Sequence, residues 1–97
     1  MRGKKKILAA LPSLDAVELE LVYRDVRRAA DVATIGGATE RKLNHYRDVE
    51  DAILNELGKR FPDRKMRGIR GYLDKEPGEI DSLKAVHAKI FKKDGAE

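Results

Sequence analysis

Between residues 12 and 33 the chain reads PSLDAVELELVYRDVRRAADVA, in which Ala16, Leu19, Tyr23, Val26, Ala30 and Ala33 follow at steps of 3, 4, 3, 4 and 3. That rhythm keeps one face of an α-helix apolar, and Leu14, Val17, Leu21 and Val22 widen it. Arg24, Asp25, Arg27, Arg28 and Asp31 fall between these positions and are expected to stay in water. The pattern predicts a first long helix over residues 14–34, with Ser13 as its N-cap and Asp15 and Glu18 favourable to the dipole of its first turns. Gly36 and Gly37 end it, because glycine supplies the positive φ of a helix C-cap.

Thr39 reads as the N-cap of a second long helix over residues 39–61. Its start is weakened by Lys42 standing where a capping box places Glu or Gln. Leu43, Tyr46, Ile53, Leu54, Leu57 and Phe61 form its stripe, and Pro62 stops it. The short Gly-Gly connection makes the two long helices an antiparallel hairpin. Met66, Ile69 and Leu73 fit a short helix over residues 65–74, although Gly68 and Gly71 each oppose it by about 1 kcal/mol relative to Ala. After the turn Glu76-Pro77-Gly78, a C-terminal helix over residues 78–93 carries Ile80, Leu83, Val86, Ile90 and Phe91. Ile7, Leu8 and Leu11 suit one helical turn packed on the bundle. Residues 1–6 read as a disordered basic tail and residues 94–97 as a polar one. The expected fold is all-α, a single small helical domain over residues 1–97.

Composition sharpens this picture. Charged residues make up 39% of the chain, against about 25% in ordinary domains, and aromatics only 5%. Such a profile fits amphipathic helices with wide polar faces and a core of Leu, Ile, Val and Ala. Cysteine is absent, which excludes disulfides and thiolate chemistry and suits a reducing compartment. The basic start is followed by an apolar run too short for a signal peptide, and nothing approaches the ~20 apolar residues of a membrane span. A soluble, cytoplasmic protein without membrane contact is the expectation.

The net charge of +4 is uneven. Residues 1–12 carry four positive charges and no negative one, and residues 62–76 carry five against three. The basic run Lys59, Arg60, Arg64, Lys65, Arg67 and Arg70, with Phe61 and Tyr72 among it, is the most informative chemical feature. Arginine forks bind phosphates and stack on bases, and aromatic rings add stacking platforms. The candidate nucleic-acid-binding residues are therefore Arg60, Arg64, Lys65, Arg67 and Arg70, joined by Lys4, Lys5 and Lys6. Phe61 and Tyr72 also read as core residues, and Asp63, Asp74 and Glu76 dilute the run.

Other chemistry has thinner support. Glu50 and His87 fall on the apolar stripes of their helices and could form a coupled pair usable for proton transfer, or be a solvent-reaching glutamate and a core-edge histidine. His45, Asp48 and Asp51 share one side of the second helix, a spacing that could loosely hold a divalent ion but is common on charged helices. There is no HExxH, Walker loop, GxGxxG or GxSxG, and neither a catalytic residue nor a cofactor is implied. No motif marks a known family. In style the chain resembles small accessory gene products, phage ones included.

Two functions stand as expectations. The first is a non-enzymatic accessory protein binding nucleic acid or another polyanion through residues 59–70 and the N-terminal lysines. The alternative is a protein–protein interaction or assembly module, a homodimer or subunit, using the apolar stripe of residues 14–34.

Overall fold

The computed structural model describes residues 3–62 and 79–91. Among them are four α-helices, α1 (Lys4–Ala10), α2 (Ala16–Ile35), α3 (Glu40–Arg60) and α4 (Glu79–Ile90), with a 3-10 turn over Leu11–Ser13 between α1 and α2. The protein is a small all-α structure. The expected helix over residues 65–74 lies outside the described residues.

α2 starts two residues later than its apolar pattern suggests, and Ser13 is not its cap. The hydroxyl of Ser13 donates to the carbonyl of Ala10, within the preceding turn, at 2.7 Å. The cap is Asp15, whose Oδ1 accepts from the Glu18 amide at 2.8 Å while Glu18 Oε1 accepts from the Asp15 amide at 2.9 Å. This capping box satisfies two orphan amides at once. At the other end, Gly37 adopts φ 80°, its amide donates to Thr34 and the Ala38 amide donates to Ala33. This double closure is a Schellman motif, and the positive φ is the reason a glycine stands there. Thr39 caps α3 as expected, accepting from the Lys42 amide at 3.3 Å.

α2 and α3 lie side by side and antiparallel, since Arg27 meets Glu50 midway and Arg60 at the end of α3 reaches Leu14 just before α2. Leu14, Leu19, Val22 and Val26 interlock with Val49, Ile53 and Leu57, and α4 adds Val86 and Ile90. Val17, expected to widen the apolar face, is instead left in water, because it points well away from the buried stripe of Leu19, Val22 and Val26.

The basic N-terminal run is a correction. Expected as part of a disordered tail, Lys4, Lys5 and Lys6 form the first turn of α1, which sets Ile7 and Leu11 into the core. Gly3 begins this helix at φ 78°, with the Phe91 ring so close that a Cβ would sit 2.6 Å from it. The start of α1 thus lies against the residue that follows α4.

Candidate polyanion interface

Arg24 was expected in water and is instead 6% exposed. Its guanidinium lies 3.0 Å from Glu79, itself 5% exposed at the start of α4, and Arg28 Nη2 lies 2.5 Å from the other oxygen of that carboxylate. Arg28 also faces Asp25 at 3.8 Å, and His87 Nε2 approaches Asp25 Oδ2 at 3.4 Å. The Arg24 and Arg28 ion pairs with Glu79 and the Asp25–His87 contact thus join α2 to both ends of α4. A carboxylate held between two guanidiniums can tolerate burial, because its desolvation is offset by charge and hydrogen bonds together.

The same network separates the suggested Glu50–His87 pair. His87 faces Asp25 and meets Phe91 edge to face at 5.9 Å, whereas Glu50 is buried on the opposite flank and faces Arg27 at 3.3 Å. Proton transfer between them has no geometric basis. The Glu50 Oε2 atom is buried without a hydrogen-bond partner among the described residues.

The suggested ion site on α3 is occupied by a cation already. Lys4 Nζ lies 2.6 Å from Asp48 Oδ2 and 3.3 Å from His45 Nδ1. The ammonium bonds to Asp48 and its charge holds that carboxyl below the usual range. Among the described residues no cluster of His, Cys, Asp or Glu could hold a metal ion.

The eight residues of the basic candidate set divide three ways. Arg64, Lys65, Arg67 and Arg70 lie outside the described residues. Arg60 is committed to the fold: its Nε donates to Glu56 at 3.1 Å, Nη2 to the Leu11 and Pro12 carbonyls at 3.1 Å each, and Nη1 to the Leu14 carbonyl. These carbonyls end α1 and its 3-10 turn; the Leu11 oxygen also accepts from the Leu14 amide at 3.2 Å, and the planar fork adds donors to all three. Arg60 is therefore a structural clasp at the hairpin base. Lys4 is tied to Asp48. Lys5 and Lys6 project from α1, exposed and without an ion-pair partner among the described residues.

Arg41, Lys42, Lys59 and Lys84 are exposed and unpaired in the same way, and the acids without an ion-pair partner among the described residues are Asp15, Glu20, Asp51 and Asp81. The excess of open positive charge was not legible as a site, because which charges cancel depends on tertiary neighbours. The apolar stripe of α2, considered as an assembly surface, packs within the chain's own core at Leu19, Val22 and Val26.

Among the described residues no helix is long and apolar enough to cross a membrane. Comparison with family models, curated proteins and solved structures finds no match to this chain.

Proposed function

We propose that this is a small, non-enzymatic accessory protein of the cytoplasm that binds nucleic acid or another polyanion. The observation that supports the reading is how the charge divides. Arginines neutralise buried and half-buried acids inside the fold, while lysines such as Lys5 and Lys6 remain open to solvent. Residues 62–76 add five positive charges against three. Arg64, Lys65, Arg67 and Arg70 are the proposed principal contacts, with Lys5 and Lys6 in support, while Arg60 and Lys4 serve the fold. A flexible lysine suits loose phosphate contact, and arginine adds bidentate geometry.

Titration of labelled DNA and RNA against the full chain tests this reading. Micromolar or tighter binding that weakens steeply with salt is expected, and absence of binding at about 50 mM salt would end it. Replacing Arg67 and Arg70 together by Ala should reduce the salt slope by about one unit for each phosphate no longer neutralised. Stability should change by no more than about 0.5 kcal/mol per site if both are exposed. An unfolded double variant would make these arginines structural, as Arg60 is.

A further inference from the structure

The flank of the hairpin that α1 and α4 cover is apolar, and they do not cover all of it. Near its middle, Ile7, His87, Ile90 and Phe91 meet Val22, Val26 and Tyr46 around a cleft of about 230 Å³. Towards the hairpin tip a second hollow of about 410 Å³ is lined by α2 and α3 residues alone, among them Ala29, Val32, Ala33 and Tyr46. The two share Asp25, Ala29 and Tyr46, and so form one groove. Val32 on its wall is 63% exposed, and Ile35 just beyond is 86% exposed. Scattered exposed apolar residues such as Val17 are ordinary, but large ones gathered along a concave strip mark a contact surface.

We infer that the tip end of this groove docks an acidic amphipathic helix of a protein partner. From Asp25 to Ala33 the α2 wall runs about 12 Å, room for two turns of a helix laid along it. Such a helix would bring one or two large apolar side chains against Ala29, Val32 and Ala33. The charge at the rim selects its polar face. Lys42 lines the groove, exposed and without an ion-pair partner among the described residues. The one acid of the lining, Asp25, already faces Arg28 and His87. A second copy meeting this face symmetrically would bring Lys42 towards like charge, which argues against self-association here. A nucleic acid would leave the aliphatic wall without a complementary surface.

The test uses the full chain, isotopically labelled, and a synthetic peptide of Glu, Leu and Phe with its apolar residues at i, i+3, i+4 and i+7. A peptide of the same composition, scrambled to spread those residues around the helix, is the control. Amide shifts should concentrate at Ala29, Val32, Lys42 and Tyr46 for the first peptide, with micromolar affinity. Val32→Glu and Lys42→Glu should each weaken binding about tenfold or more, the equivalent of about 1.4 kcal/mol. Val17→Glu, on the same helix but off the groove, should leave it unchanged. All three positions are exposed, and should either Val32→Glu or Lys42→Glu fail to fold, the other still decides. Four results would each overturn the inference: no binding of the ordered peptide at millimolar concentration, equal binding of the scrambled one, the same amides shifting with an oligonucleotide, or their shifting as the protein alone is concentrated.

Discussion

The two ends of the α2–α3 hairpin are built from similar residues and treated in opposite ways. At the base, Leu11, Leu14 and Leu57 are buried and Arg60 closes over three carbonyls. At the tip, Val32 and Ile35 stand in water beside a turn closed only by its own backbone bonds. The base has α1, its 3-10 turn and a guanidinium to cover it, whereas the tip, among the described residues, has nothing but the turn. Apolar character alone therefore does not say which leucine or valine holds the fold. Coverage by a third element does.

Removing side-chain volume at the base should have the largest effect. Leu14→Ala is expected to cost about 2–5 kcal/mol, read from chemical denaturation, because it leaves a cavity among fixed neighbours. A loss below about 1 kcal/mol would mean the base is not the anchor described here. Next in size, Arg60→Ala should cost about 2 kcal/mol, because it strips several carbonyls of a charged donor. Arg60→Lys should recover only part of that, since an ammonium cannot span the same fork. Equal stability of Arg60→Ala and the parent would free Arg60 for the polyanion surface again.

Thr39→Ala should cost about 1 kcal/mol, the usual worth of an N-cap, and hydrogen exchange should quicken first in the opening turn of α3. At the tip, Val32→Ala should change stability by about 0.5 kcal/mol or less. A larger effect there would erase the contrast between the two ends. The smallest effect belongs to Lys4 and Asp48. A carboxyl depressed in the folded state contributes stability above its unfolded pKa, and that contribution is lost as pH falls through the folded value. The tie of α1 to α3 should thus loosen only on acidification below about pH 4, and Asp48→Asn should flatten that acid limb in a pH series of melts.

Much of the fold was legible in the chain. The 3–4 spacing of Leu19, Tyr23 and Val26, the paired glycines and Thr39 placed the two long helices to within a few residues. The capping box was legible too, since Asp15 and Glu18 stand three apart, but Ser13 after a proline offered a competing cap. The candidate site was far less legible. Arg60 looks the same in sequence whether it meets phosphate or carbonyl, and Lys4 looks like a tail until Asp48 is found beside it.

Local order in this protein followed from the sequence itself, because helix periodicity, caps and the Gly37 turn depend on neighbours a few residues away. Tertiary structure alone decided the fate of the charges and of the apolar edges. Arg24 and Glu79 are 55 positions apart, yet each makes the other's burial possible, and no local pattern encodes that partnership. Val26 and Val32 lie on one helix, but they point about 120° apart, and only Val26 faces the packed core. Burial and charge pairing are set by the whole fold, since both depend on which distant surfaces exclude water.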